Sequence, residues 1–264
     1  MDLQVNGPKV FFELPFDLPD SAIFTMKNLI TQTTLSLVAV TLILLIVALI
    51  VSRKITKRPG RLQVVTEKLV SMLYGLVEDT MGKHNLKFAP YIGTLFLSSI
   101  IGTLIGTTQL FRSTTADLSV TAAWAIVTTG MVWYNNIKNF GFGTWLKGFT
   151  EPIVVMTPMN IVSEIANPVS MAFRHFGNVA GGSVLTALIY GALSAASSLL
   201  FSWLPGLLGE IPFLTAGIPA FLSIYFDLFS GFVQALVFSL LTMIYVGGAC
   251  PPPEELPKKS ATKE

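Results

Sequence analysis

Charged residues are scarce in this sequence, and their scarcity excludes a soluble domain. Only 12% of the 264 residues are charged, whereas 52% are hydrophobic and the mean hydropathy is +0.66. A soluble protein carries about 25% charged residues, which it needs to cover its surface. The composition therefore excludes a soluble globular enzyme, and it argues against a disordered chain.

Other familiar signals are also missing. The single cysteine, Cys250, excludes an intrachain disulfide framework, and we expect it to be an ordinary small apolar residue rather than a lipid attachment site. The only Gly-Lys pair, Gly82-Lys83, lacks the remainder of a Walker A motif, so any ATP is bound by another chain. No basic run suggests a nucleic-acid partner, and we expect no cleavable signal peptide.

The few charges are segregated, and they leave five long uncharged stretches. These stretches contain 25, 24, 20, 35 and 26 residues, and they follow Lys27, Lys87, Asp117, Arg174 and Asp227. A helix needs about 20 predominantly apolar residues to cross a bilayer. The sequence therefore predicts an all-α, polytopic membrane protein.

Basic residues orient the first half of the predicted topology. A first transmembrane helix over 33–52 is followed at once by Arg53 and Lys54, so this end is cytoplasmic by the positive-inside rule. Residues 1–32 then form an extracytoplasmic segment. Residues 53–87 form a cytoplasmic basic loop with an amphipathic helix over 61–82, which lies along the interface or against a partner.

The second half contains the longest apolar stretches. We predict a transmembrane hairpin over 88–137, a cytoplasmic loop over 138–158, two long tilted helices over 159–249 and a cytoplasmic tail over 250–264. Thirteen of the 17 basic residues fall in the proposed cytoplasmic segments. A helix from 159 to 200 would be about 63 Å long, against a hydrocarbon core of about 30 Å. It is therefore either two helices or one strongly tilted helix.

Three ionisable residues fall within the predicted membrane helices: Glu164, Arg174 and Asp227. Arginine keeps its proton in essentially any protein site. Its insertion near the bilayer centre costs at least ~2.5–3.5 kcal/mol of free energy. One interpretation is an internal ion pair of Arg174 with Asp227 or Glu164. The other, which the neighbouring residues favour, is a fixed cation on an ion path.

Polar residues share the helix faces on which these charges lie. At 100° per residue, Asn178 and Ser170 each lie about 40° from Arg174, while His175 points about 100° away and is predicted to be a packing residue. Asp227 and Gln234 are seven residues apart and share a face as well. A polar stripe on each of two long helices indicates a hydrated, ion-conducting interface.

Three sequence segments carry a family resemblance. The run Asn-Pro-Val-Ser-Met-Ala-Phe-Arg174-His-Phe-Gly-Asn178 resembles the signature helix of subunit a of bacterial F-type ATP synthases. The segments around Asp117 and Gln234 are similar to that family's hairpin turn and last helix. The order and spacing agree over residues 33–250.

The resemblance implies a non-catalytic, ion-translocating stator subunit in the bacterial plasma membrane, with its N-terminus outside. Its partners would be the c-subunit ring, the peripheral-stalk b subunits and the rest of the synthase, and it would need no cofactor. Arg174 would stand between two offset half-channels and stabilise the unloaded ring carboxylate. Residues Asn178 and Gln234 would lie beside it, Asp227 and Asp117 on the outer path, and Ser170, Glu164 and Asn160 towards the cytoplasmic exit.

The chain departs from the family pattern at three positions. Ser183 replaces a Glu or His nine residues after the arginine, and Asp227 replaces a His or Glu before the glutamine. Asn160 stands where members often carry an acid, with Glu164 one turn later. The transported ion, H⁺ or Na⁺, is left open because its coordinating carboxylate lies on the c subunit.

Two other classes of membrane protein fit the sequence less well. A secondary transporter with a midplane arginine site would show inverted internal repeats, and the sequence has none. A purely structural scaffold is not expected to contain a buried arginine, because nothing in it would offset the free energy of burying the charge.

Overall fold

The computed structural model describes residues 10–13, 28–53, 55–57, 59–107, 111–151, 153–201 and 225–254, and it describes no side chains at 10–13, 28–30, 183, 201, 226 and 227. The α-helices of this part are α1 (Gln32–Arg53), α2 (Arg61–Met81), α3 (Ala89–Thr107), α4 (Leu118–Phe140), α5 (Phe142–Gly148), α6 (Thr157–Phe201) and α7 (Gly231–Gly248). Single 3₁₀ segments cover Lys83–Phe88, Thr114–Ala116 and Val154–Met156, and a π-helical turn covers Tyr225–Ser230.

Four described helical segments are long and apolar enough to cross a membrane: Gln32–Arg53, Lys83–Gly106, Val154–Leu200 and Leu228–Gly248. The all-α polytopic class is therefore confirmed for the membrane part. A short antiparallel pair of strands precedes it, β1 (Val10–Glu13) with β2 (Asn28–Thr31), in an irregular register. These strands belong to the predicted extracytoplasmic segment, for which the sequence predicted no structure.

The first helix buries two hydroxyl-bearing residues and exposes most of its large apolar ones. Thr33 and Ser36 of α1 are buried, whereas Leu45 and Ile46 are more than half exposed. The Ser36 hydroxyl donates to the Gln32 carbonyl at 2.9 Å, so its polar atom is satisfied within the helix. This arrangement suits a bilayer, where the exposed side chains meet lipid rather than water.

The returning helix of the predicted hairpin, α4, hides its polar residues along one stripe. Thr121, Thr128 and Asn135 recur every seven residues and are all buried, whereas Ile126 is 66% exposed. These polar residues make α4 less apolar than the four candidate spans. Its 23 residues are nevertheless enough to cross a bilayer.

Glycines with positive φ end two of the helices. Gly82, at φ 81°, follows α2, and its N–H donates to the Glu78 carbonyl at 2.9 Å. Gly141, at φ 85°, separates α4 from α5 and donates to the Ile137 carbonyl. Residues with a side chain rarely adopt this conformation. The segment 138–158, predicted as a loop, therefore contains a short helix after Gly141.

The first of the two long apolar stretches, predicted over 159–200, forms one helix. It runs without interruption through Pro168 for 45 residues, which corresponds to about 68 Å at 1.5 Å per residue. A helix of this length can lie within a hydrocarbon core of about 30 Å only if it is steeply inclined. Of the two alternatives that the sequence left open, the structure has the single helix.

Residue contacts divide the chain into two compact units. The first comprises Met1–Leu42, Ser99–Asp117 and His175–Ala235, and the second comprises Ile43–Ser98, Leu118–Arg174 and Leu236–Glu264. In the second unit, one core joins α2, α3 and α7 through Val77, Met81, Ala89, Ile92, Met243 and Val246. Another joins α3, α4, α6 and α7 through Leu95, Ala125, Met171, Ala172 and Phe238.

The amphipathic helix α2 is only partly covered by these contacts. Its last two turns pack in the first of the two cores, whereas Leu62, Val65, Leu69 and Met72 are about half exposed or more. These four residues belong to the apolar face that the periodicity predicts. The contact of this face with lipid or with a partner protein stays a prediction.

A substitution at Gly231 tests whether α7 closely approaches α3 in the first unit. A Cβ at Gly231 would lie 2.6 Å from Cγ2 of Thr103, a stiff β-branched side chain, whereas a Cβ at Gly248 would meet nothing within 4 Å. We expect Gly231→Ala to destabilise the protein by about 1–3 kcal/mol, seen as a lower midpoint of thermal unfolding in detergent. Gly248→Ala is the control, and equal midpoints would contradict the close approach.

The reactivity of the Cys250 thiol tests the packing just after the end of α7. Its side chain is 4% exposed, and its carbonyl accepts hydrogen bonds from Asn85 Nδ2 and His84 Nε2, both at 2.8 Å. Burial raises the pKa of the Cys250 thiol, against a smaller opposing effect of Lys87. We expect maleimide to alkylate the folded protein about tenfold or more slowly than the protein in SDS, since the thiolate is the reactive form.

The exposed position Ile55 supplies the control for this labelling. Ile55→Cys in a Cys250→Ala background should react at similar rates in the folded and the SDS-treated protein. Fast labelling of native Cys250 would show that the end of α7 is open.

Candidate functional site

A hydrogen bond between two amide side chains joins α6 to α7 within the first unit. Asn178 Nδ2 donates to Oε1 of Gln234 at 3.3 Å. Gln234 is 5% exposed, and its Nε2 has no hydrogen-bond partner among the described residues. An unsatisfied buried donor costs about 1–3 kcal/mol, so this group is suited to water or to a second chain.

His175 is held inside the first unit, as expected of a packing residue. It is 1% exposed, and its Nε2 lies 3.0 Å from Oγ of Ser99 on α3. The contact joins α6 to α3 across 76 positions of sequence. No pattern in the sequence indicates Ser99 as the partner.

Arg174 ends the segment Leu118–Arg174 of the second unit, and its side chain is exposed on α6. None of the described carboxylates forms an ion pair with it; the Asp227 side chain is not among them. The alternative of an ion pair between Arg174 and Glu164 is therefore wrong for this structure. The permanent charge of Arg174 is therefore exposed among the described residues.

Glu164 has a different partner, which the sequence did not reveal. Trp133 on α4 donates its Nε1–H to Oε1 of Glu164 at 2.5 Å. Both residues lie in the second unit. An indole N–H needs an acceptor in an apolar setting, but sequence spacing could not pair residues 31 positions apart.

Asn160 and Ser170 lie on α6 on either side of Glu164. Asn160 Nδ2 donates to the carbonyls of Phe149 and Glu151, at 2.9 and 3.0 Å, and thereby holds the segment that enters α6. Ser170 is exposed. Of the three residues predicted near the cytoplasmic exit, Asn160 and Glu164 line one cavity and Ser170 does not.

This larger cavity lies in the second unit between α4, α5 and α6. It has a volume of about 440 Å³, and its polar lining residues are Asn136, Thr144, Asn160, Ser163 and Glu164. A smaller cavity of about 50 Å³ lies between α4, α6 and α7, and Glu164 lines it too. Glu164 is thus the residue that the two cavities share.

The residues predicted on the outer path are placed only in part. Asp117 is half-buried, immediately before α4. Asp227 lies in the π-helical turn and Ser183 in α6, but both side chains fall outside the described residues. Among the described residues, no group of His, Cys, Asp and Glu could hold a metal ion.

The chain is similar to known proteins over most of its length. A family profile described as ATP synthase A chain matches residues 33–247. ATP synthase subunit a, sodium ion specific, of Propionigenium modestum is 32% identical over 93% of this chain and 86% of its own length. ATP synthase subunit a of Bacillus subtilis is 30% identical over 84% of this chain and 91% of its own length.

The fold and the site define a polytopic helical membrane protein with charged and polar side chains on its long membrane helices, which is typical of ion-translocating proteins. The chain belongs to the family of ATP synthase A chains, the subunits a of F-type ATP synthases. Its role is that of the ion-translocating stator subunit in the membrane sector, where it works with the rest of the complex. A secondary transporter is not favoured.

The bond between Asn178 and Gln234 yields a stability prediction. Asn178→Ala would leave the buried amide of Gln234 without a partner on either atom. We therefore expect the free energy of unfolding to fall by about 1 kcal/mol. The measurement is the midpoint of thermal unfolding in detergent. Ser198→Ala is the control, because that exposed hydroxyl bonds only to the Ala195 carbonyl of its own helix. Equal midpoints for the two variants would show that the amide pair contributes nothing.

Proposed function

We propose that this chain couples ion flow to the rotation of a ring of c subunits through two offset half-channels that end near Arg174. The chain catalyses no reaction itself and needs no cofactor. Each ring carboxylate loads an ion from one half-channel and releases it into the other. Arg174 stands between them and prevents direct leakage.

The exposed, permanently charged Arg174 carries this proposal. Exposed side chains of a membrane helix meet either lipid or another protein, and an arginine in lipid costs at least ~2.5–3.5 kcal/mol. No described carboxylate of the chain offsets that cost. A carboxylate on a neighbouring subunit would offset it, and the arginine would in turn stabilise the unloaded, charged form of that carboxylate.

Polar residues on both sides of Arg174 would form the half-channels. Asn178 and Gln234 present an amide pair with a spare donor. We assign Asp117, Asp227 and Ser183 to the outer path. On the cytoplasmic side we assign Asn160, Glu164 and Ser170, of which the first two line the larger cavity.

The proposed setting is a bacterial plasma membrane, with the N-terminus outside and the C-terminus in the cytoplasm. The distribution of basic residues supports this orientation, and the compared relatives are bacterial. The proposed partners are the c-ring and the peripheral-stalk b subunits. The transported ion is H⁺ or Na⁺; one relative is named sodium ion specific and another is not.

The proposal is tested by ATP-driven ion uptake into inverted membrane vesicles that contain the assembled complex. We expect Arg174→Ala to abolish uptake, since the unloaded ring carboxylate loses its counter-charge. Lys147→Ala removes an exposed cation from α5 and should leave uptake unchanged. Parallel assays with a pH-sensitive dye and with radioactive sodium identify the ion.

Assembly is checked in the same vesicles by the amounts of c and b subunits that co-purify. Undiminished uptake by assembled Arg174→Ala complexes would overturn the role of the arginine. Loss of uptake with normal assembly would support it.

A further inference from the structure

The long helix α6 is exposed along most of its length, and a single buried polar contact joins it to α3. Among its described side chains, the buried ones are Met171, Ala172, His175 and Ser197. His175 Nε2 lies 3.0 Å from Oγ of Ser99, and both residues are almost completely buried. We propose that this hydrogen bond sets the rotation of α6 about its axis and thereby the position of the Arg174 side chain. The inference rests on the proposed function and adds a positioning residue to it.

The other contacts of this part of α6 define its rotation less closely. Met171 and Ala172 pack in an apolar core, but apolar contacts are non-directional and the methionine side chain is flexible. A hydrogen bond, in contrast, weakens steeply when its angle falls below about 120°. The bond from Asn178 to Gln234 is longer, at 3.3 Å, and only partly buried. His175 is therefore the residue that best specifies the rotation.

The partner of His175 belongs to a turn of α3 that is itself held in place. Thr103 donates to the Ser99 carbonyl at 2.9 Å, and its hydroxyl lies 3.3 Å from that of Thr115 in the turn before α4. Gly231 of α7 also approaches Thr103 so closely that a Cβ would lie 2.6 Å from its methyl group. The Ser99 hydroxyl is therefore a fixed point within the first unit.

The rotation of α6 determines where the charge of Arg174 lies. Arg174 precedes His175 on one continuous helix, about 100° away around the axis, so the two residues turn together. Helix side chains extend about 5–6 Å from the axis, and a turn of about 30° would displace their outer ends by about 3 Å. A cation favours the charged form of a carboxylate only within about 4–6 Å. A turn of this size is therefore enough to weaken the effect of Arg174 on a ring carboxylate.

The number of ions taken up per ATP hydrolysed tests the positioning role, measured in inverted vesicles that contain the assembled complex. His175→Leu is similar in size but loses the hydrogen bond. We expect the ratio to fall about three- to tenfold, the shift in population that one hydrogen bond produces. His175→Gln can place an amide nitrogen where Nε2 stands, and we expect it to retain the wild-type ratio.

A purely structural role of His175 predicts a different result. Fewer complexes would then assemble, so that uptake and ATP hydrolysis fall together and their ratio stays unchanged. That outcome, or a wild-type ratio in assembled His175→Leu complexes, would overturn the inference. The proposed function would remain intact if Arg174→Ala still abolished uptake.

Substitution of Ser99 tests the pairing. Ser99→Ala should lower the ratio as much as His175→Leu, and the double variant should be no worse than either single one, since all three lose the same bond. Ser36→Ala is the control, because this buried hydroxyl bonds to the Gln32 carbonyl of its own helix. Losses that add in the double variant would overturn the pairing.

Spin labels test the rotation of α6 without transport. In a Cys250→Ala background, the labels are attached to Leu97→Cys of α3 and Val169→Cys of α6, two exposed positions within the second unit. We expect His175→Leu to broaden the distribution of distances between the labels in the assembled complex, and His175→Gln to leave it unchanged. The same distribution in all three proteins would show that α6 does not turn when the bond is lost, and would overturn the inference.

Discussion

The strongest electrostatic constraint on this chain is a positive charge on a membrane helix that cannot be neutralised. Arg174 keeps its proton in an apolar helix, so its cost must be met by another charge or by water. Within the described residues no acid of the chain meets it. We propose that a neighbouring subunit of the complex supplies the charge that offsets it.

Elsewhere the chain removes polar groups from lipid by bonding them locally. Thr103 donates to the Ser99 carbonyl, and Asn135 Nδ2 donates to the Met131 carbonyl, each one turn earlier in its own helix. Such bonds let buried hydroxyls and amides pack between helices without unsatisfied groups. The buried Nε2 of Gln234 has no such bond among the described residues, and neither do the buried hydroxyls of Ser239 and Thr242 on the same helix.

The length of α6 allows it to present a long row of polar residues. An inclined helix of 45 residues presents a longer face than a perpendicular span, and the polar residues of that face start with Asn160. The acid on this face is Glu164, one turn after Asn160. Trp133 donates a hydrogen bond to this acid, which lines both cavities of the second unit.

The sequence alone determined the class of protein, the membrane helices and the residues that bear charge within them, because charge exclusion and helical periodicity are local properties. The motif around Arg174 also identified the family. Only the tertiary structure decided that α6 is one helix, that α5 interrupts the predicted loop, and that Glu164 bonds to Trp133 rather than to Arg174. Those outcomes depend on contacts between residues far apart in the chain, for which sequence spacing contains no signal.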